Sequence, residues 1–380
     1  MLTGPASIVY KHFEKVTDPR ADRGPTHDLH EMIFMALTAT VCGANGWVDV
    51  ERFVDARYDW FEKYVSMEEG IPSHDTFGRV FARLDTGEFL SAMHGWADEF
   101  AGNLRDKGVA IDGKTLRGSF DKASGKSAVH TITAFAVGTR TVLRQMTVDD
   151  KSNEIPAVPV LLRLLELAGA IVSLDAMHCQ TETAQAIIDS EADYILSVKG
   201  NQPTLYDYLL TKFIEFGDID YSVEGLRRLI TCEKSHGRLE RREYYVIAVS
   251  DEDRKTLNRW PGLVSVGMVV RQRTIGDKEE LETSFFITSL APKVRSLAAH
   301  IRGHWAIENS QHHVLDVTFA EDASRIRSGT APEISASIRR MALNILQRDK
   351  TVKDNIRGKR LRAGWDETVL DSIWAAFSAT

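Results

Sequence analysis

Over the first hundred residues, apolar side chains recur at the spacing of one helix face. Leu29, Ile33, Phe34, Leu37 and Val41 form one such stripe, and Trp47, Val50, Phe53 and Val54 continue the style. Gly70-Ile71-Pro72-Ser73 interrupts it, with Ser73 placed to cap a helix beginning at His74-Asp75-Thr76. The pattern predicts an all-helical domain over residues 1–105. Two short helices about a tight turn suit a DNA-binding helix-turn-helix. They equally suit the ordinary packing of a small helical domain.

At residue 109 the period changes. Val109-Ala110-Ile111 is a short apolar run, and Ala128–Val137 and Thr141–Val148 are two β-rich runs about the turn Gly138-Thr139-Arg140. A helix is predicted over Ile155–Leu167, a strand over Ile171–Leu174, a helix near 181–190, a strand over Tyr194–Val198 and a helix after Pro203. The order β-β-β-α-β-α-β-α implies an α/β fold with a mixed sheet and helices on both faces. Ribonuclease-H-like nucleases have this order, as do other mixed folds. Residues 220–290 return to alternation in Arg242–Val249, Leu263–Val270 and Ser284–Thr288, with turns at Ser235-His236-Gly237 and Ile275-Gly276-Asp277. A helical stretch then runs from Val294 to about Gln347. The expected layout is a helical N-terminal domain (1–105), an α/β core (106–350) interrupted by a β-rich insertion at about 218–290, and a C-terminal tail or helix (351–380).

Composition narrows the setting. With 380 residues, 43% of them hydrophobic, the chain can fold as two or three domains. Cys42, Cys179 and Cys232 are far apart and follow no metal or disulfide spacing, which suggests a reducing cytoplasm. No signal pattern opens the chain, and no apolar run approaches the roughly 20 residues needed to span a bilayer, so no membrane association is expected. The net charge of −7 argues against a nucleic-acid partner at first sight. From Arg302 to Arg362, however, there are 12 Lys and Arg against 7 Asp and Glu. A phosphate backbone responds to a local patch, because distant charge is screened beyond roughly 10 Å.

Gly108-Val-Ala-Ile-Asp112-Gly113-Lys114-Thr115 matches a P-loop in letters only. Its apolar strand lies inside the four variable positions, and Leu116-Arg117-Gly118-Ser119 starts no helix, so the motif's physical context is missing. Read otherwise, Asp112 closes one short apolar run and Asp175 closes another, Ile171–Leu174. If the two strands are neighbours about 4.8 Å apart, their carboxylates repel unless a proton or a cation lies between them. Either aspartate alone is a common strand-end cap; together they favour a metal. Phosphoryl-transfer sites use few carboxylates around Mg2+, and paired ions activate the attacking oxygen and stabilise the leaving one. A third acid is needed, for which Glu308, Asp316, Glu321 and Asp322 are candidates. His304, Glu308 and His312 recur every fourth residue, as on one helical face, where a solvated stripe is the plain alternative. A zinc site at His304, His312 and His313 is a further option.

The blocks Asp112-Gly-Lys-Thr-Leu-Arg-Gly-Ser119, Lys151-Ser-Asn-Glu-Ile155, Asp175-Ala-Met-His-Cys-Gln180, Lys199-Gly-Asn-Gln202, His304-Trp-Ala-Ile-Glu-Asn309 and Leu315–Arg327 stand in the order seen in one group. Together they resemble the H-repeat-associated (ISAs-type) insertion-sequence transposases, a branch of the DDE superfamily. Asp18-Pro19-Arg20, Arg23-Gly24 and Gly70–Phe77 resemble that group's associated helical domain. The resemblance implies a ribonuclease-H-like core with a β-rich insertion, and assigns Asp112, Asp175 and Glu308 as catalytic, metal-holding acids. It implies two Mg2+ ions (Mn2+ can substitute), double-stranded DNA as partner, a homodimer on DNA, and a bacterial cytoplasmic protein, nucleoid-associated when bound. Transposon-end cleavage and strand transfer follow, with a nuclease lacking transfer or a non-catalytic DNA-binding descendant as alternatives. Lys114, Arg117, Lys199, His304, Trp305, Arg325 and Arg327 are the expected DNA contacts, with Arg339 and Arg340 as further backbone contacts; the alternatives are a core role, the commoner one, for Trp305 and a merely solvated face for Arg325, Arg327, Arg339 and Arg340. Two departures stand out. The wider superfamily's Tyr-x2-Arg-x3-Glu-x6-Lys is here Ile301, His304, Glu308 and Leu315, and Gln311-His312-His313 carries histidine where tryptophan is expected. On a regular helix Asp316 would lie about 12 Å along the axis from Glu308, too far to share an ion with it.

Overall fold

The computed structural model describes residues 3–20, 26–120, 125, 127–148, 154–235 and 237–378. Arg23, Gly24, Lys151, Ser152, Asn153 and the turn residue His236 lie outside the described residues. The strands are β1 (Gly108–Thr115), β2 (His130–Ala136), β3 (Thr141–Val148), β4 (Ile171–Leu174), β5 (Asp193–Val198), β6 (Arg227–Ser235), β7 (Arg238–Ala248), β8 (Ser265–Ile275) and β9 (Lys278–Thr288). They form one mixed sheet in the order β3-β2-β1-β4-β5-β9-β8-β7-β6. The chain divides into two compact units, one formed by Met1–Gly102, Gly113–Ser152 and Ile307–Thr380, the other by Asn103–Asp112 and Asn153–Ala306.

In the first unit the helix Leu29–Val41 is the centre of the core. Nearly every residue in it is buried, as expected of a helix apolar all round. Asp28 caps it by accepting from the amides of His30 (2.8 Å) and Glu31 (3.1 Å). Arg360 serves the other end, donating to the carbonyls of Thr40 (2.9 Å) and, just beyond the helix, Ala44 (2.7 Å). Burial pulls the Arg360 guanidinium down to about 10. Ser73 caps the helix His74–Phe81 as its position in the sequence implied. Phe34 packs against Trp60, Phe61 and Trp374, so the C-terminal helix Glu367–Ser378 shares this core. The helix Ala331–Arg348 lies along the end strand β3. There Asn344 accepts from the Val142 amide (2.8 Å) and donates to its carbonyl (2.9 Å), covering an otherwise open edge.

In the second unit β1, β4 and β5 are parallel, and β9 then pairs antiparallel with β5. Strands β8, β7 and β6 follow as an antiparallel meander. The β-rich stretch therefore continues the same sheet. It contains the strand β6 and the helix Asp251–Leu257, neither of which the alternation pattern located. β6 is mostly exposed and rich in charge, so it carries little apolar signal. Gly267 on β8 leaves room for Phe286, whose ring would lie 2.2 Å from any added Cβ. Helix Val294–His304 packs Leu297 and Ala298 onto Ile171, Tyr244, Val246 and Val269.

Two expected helices differ in extent. Glu154–Leu162 stops short of Leu167, with Pro159 inside it. The stretch from 294 to 347 is not one helix. It ends a regular segment at His304, makes a π turn over Glu308–His312, resumes as His313–Val317, and restarts at Ala331.

Candidate active site

The parallel strands place two acids at matching register positions. Gly108 to Ile111 pair with Ile171 to Leu174 in register, so the next residue on each chain is Asp112 and Asp175. Neighbouring strands lie about 4.8 Å apart, so the two acids stand at neighbouring backbone positions. β1 does not end at Asp112, however; it runs on to Thr115, whereas β4 stops at Leu174. Asp175 is 52% exposed and lies 3.6 Å from the Lys199 ammonium, which follows the end of β5. The loops bearing this pair are stitched together. Asn201 donates to the Ala176 carbonyl (2.7 Å), and Gln202 donates to the carbonyl of Cys179 (2.8 Å) and to Gln180 Oε1 (3.1 Å). That explains the Lys-Gly-Asn-Gln block: its two amides hold the loop after β5 to the loop after β4.

Glu308 opens the π turn and is 53% exposed, with His312 Nδ1 3.6 Å from its carboxylate. Such turns re-aim side chains and cluster at functional sites. Within this turn, Glu308 and His312 offer ligand atoms within 4.8 Å of one another, so both could hold a metal ion. The pattern of polar residues suggests His312 only as part of a stripe or of a zinc cluster. His304 turns elsewhere, its Nδ1 3.0 Å from Ser173 Oγ on β4. The even stripe of His304, Glu308 and His312 is thus broken, because the regular helix ends at His304 and the π turn changes the pitch.

The other candidate acids are engaged. Asp316 takes both hydrogen bonds from Lys114, at 2.6 and 2.7 Å, and Asp322 lies 3.6 Å from Lys114 and from Arg117. Glu321 is buried against Arg340 at 2.7 Å. Lys114 is only 8% exposed, so its ammonium faces protein carboxylates. The P-loop reading fails on the structure too, since Gly108 to Thr115 is one continuous strand.

Arg117, Lys199 and Arg325 are exposed. Arg327 donates to the Gly118 carbonyl (3.1 Å) and lies over the Phe120 ring at 4.9 Å. Trp305 is 48% exposed, outside any core, with Arg271 5.7 Å from its ring centre. Arg339 and Arg340 do not form an outward basic face. Both are buried, Arg339 donating to the Asn45 carbonyl (3.2 Å) and Ser324 Oγ (3.0 Å). Lys359 and Arg360 are buried as well, so much of the local cationic excess between residues 302 and 362 is internal.

A family model described as "Transposase DDE domain" matches residues 103–345, and one described as "DDE_Tnp_1-associated" matches residues 10–97. The chain belongs to the DDE transposase family. Within it, the resemblance to the H-repeat-associated branch is borne out. "Putative transposase YncI" of Escherichia coli O157:H7 is 37% identical over 366 residues, 96% of this chain and 93% of that protein. "H repeat-associated putative transposase YhhI" of Escherichia coli K12 is 35% identical over 371 residues, 96% of this chain and 97% of that protein. A solved piggyBac transposase synaptic complex with hairpin DNA is similar over 99% of this chain and 82% of that one, with a TM-score of 0.42 and 10% identity. Among the described residues, no helix is long and apolar enough to cross a membrane.

Proposed function

We propose that the chain cleaves double-stranded DNA at transposon ends and joins the freed 3′-hydroxyl to target DNA, using Asp112, Asp175 and Glu308 on a ribonuclease-H-like core. The observation that carries this reading is the register of β1 and β4, in which Asp112 and Asp175 each directly follow a paired apolar run in a chain of the DDE family. Asp112 and Glu308, with Asp175, would hold divalent cations. The donor set is mainly hard carboxylate oxygen, which suits Mg2+ or Mn2+, and His312 adds a nitrogen that Mn2+ also accepts. When bound, such ions supply the positive charge that activates the attacking oxygen and stabilises the leaving one. Arg117, Lys199, Arg325 and Arg327 hold the DNA backbone, and Trp305 stacks on an unpaired base. The helical N-terminal domain contributes further DNA contacts, and two copies act together on paired ends.

Glu308→Gln keeps size and hydrogen bonding but removes the charge that a cation needs. Binding to a duplex should persist and fall with rising salt, while Mg2+-dependent cleavage drops by roughly 100-fold or more, equivalent to several kcal/mol of lost charge stabilisation. Normal cleavage by this variant would show that Glu308 is not the third acid. Cut but never joined products from the unaltered protein would leave a nuclease.

A further inference from the structure

We propose that Lys114 and Asp316 are a positioning pair, which sets the π turn bearing Glu308 and His312 in the geometry that holds the cation. The inference rests on the function proposed above and adds to it two residues that touch neither metal nor DNA. Lys114 is two residues beyond Asp112 on β1, and alternation along a strand puts both side chains on one face. Asp316 lies in the helix His313–Val317, which continues directly from the π turn. Their contact is two-pronged, at 2.6 and 2.7 Å to the two carboxylate oxygens, and Lys114 is buried.

A lysine buried this way is a poor phosphate contact. Taking its ammonium out of water is tolerable only because fixed carboxylates surround it. A π turn is one residue wider than an α-helical turn, so reverting to regular helix would shift and rotate the residues that follow it. A tether immediately after the turn opposes that reversion. Asp322, 3.6 Å from Lys114, supplies a second negative charge, so the loss of Asp316 does not strand the ammonium. Asp316→Asn should therefore fold.

The test measures Mn2+ binding to the full chain by calorimetry, alongside Mn2+-dependent DNA cleavage. Asp316→Asn is expected to keep its helix content and duplex affinity, to bind Mn2+ about 10- to 100-fold more weakly, the range for removing an outer partner of a metal site, and to recover cleavage at saturating Mn2+. Unchanged Mn2+ affinity in this variant overturns the positioning role. Should Asp316→Asn not fold, Lys114→Arg is read instead. It keeps both charges and alters only the tether, so a smaller loss of Mn2+ affinity is expected and no loss refutes the pair. If the unaltered protein neither binds Mn2+ nor cleaves, the functional reading itself fails.

Discussion

Arg340 and Glu321 show how single residues misled a reading by charge. Both were candidates for the chemistry, one as a DNA contact and one as a metal acid, yet each is buried and neutralises the other at 2.7 Å. Arg340 also donates to the Ala336 carbonyl at 3.0 Å. Removing one partner leaves the other charge buried and uncompensated. Arg340→Met should lower stability by about 3–5 kcal/mol, whereas the double change Arg340→Met with Glu321→Leu should recover most of it. Urea titrations of the two variants check this; equal destabilisation by both would mean that packing, not charge, holds the site. Nothing in composition separates such an arginine from a surface one. The neighbouring placement of Asp112 and Asp175 was legible because each directly follows an apolar run, and the runs pair.

At the scale of elements, strand and helix positions were readable wherever apolar periodicity was strong. The helix Leu29–Val41 and the strands Thr141–Val148 and Ile171–Leu174 fall where the pattern put them. The π turn at Glu308 was not readable, because a single widened turn leaves the spacing of apolar residues almost intact. The seam between the helix Thr86–Ala101 and β3 carries a testable consequence. His94 Nε2 lies 3.1 Å from the Gln145 amide, and Arg144, paired with Asp98 at 2.7 Å, stands beside it. Burial first, and the Arg144 charge second, lower the His94 pKa from 6.5 to about 4. The folded form therefore holds fewer protons than the unfolded one in that interval. The resulting stability is fully present above pH 6.5 and is lost as pH falls towards about 4. Thermal unfolding across this range should show a steeper acid-side decline in the unaltered protein than in His94→Gln. Parallel declines would remove the histidine from the explanation.

Taken whole, the molecule uses strand ends to gather charge and helices to restrain it. Asp112, Asp175 and Lys199 follow the apolar parts of three successive parallel strands, and amides of the Lys-Gly-Asn-Gln block fasten two of the loops. The family was legible because six blocks keep their order along the chain. The partners of Lys114 were not, since Asp316 is far from it in sequence and no local spacing announces the contact. Metal-dependent cutting and joining of DNA is the central claim. It is tested most directly by incubating the protein with Mg2+ and duplexes carrying the DNA that flanks its own gene, then comparing it with Asp112→Asn. The unaltered protein should release 3′-hydroxyl ends and join them to a second duplex, while Asp112→Asn binds the same DNA and yields neither product. Cleavage by Asp112→Asn at the unaltered rate, or DNA bound by the unaltered protein but left intact in both Mg2+ and Mn2+, would contradict it.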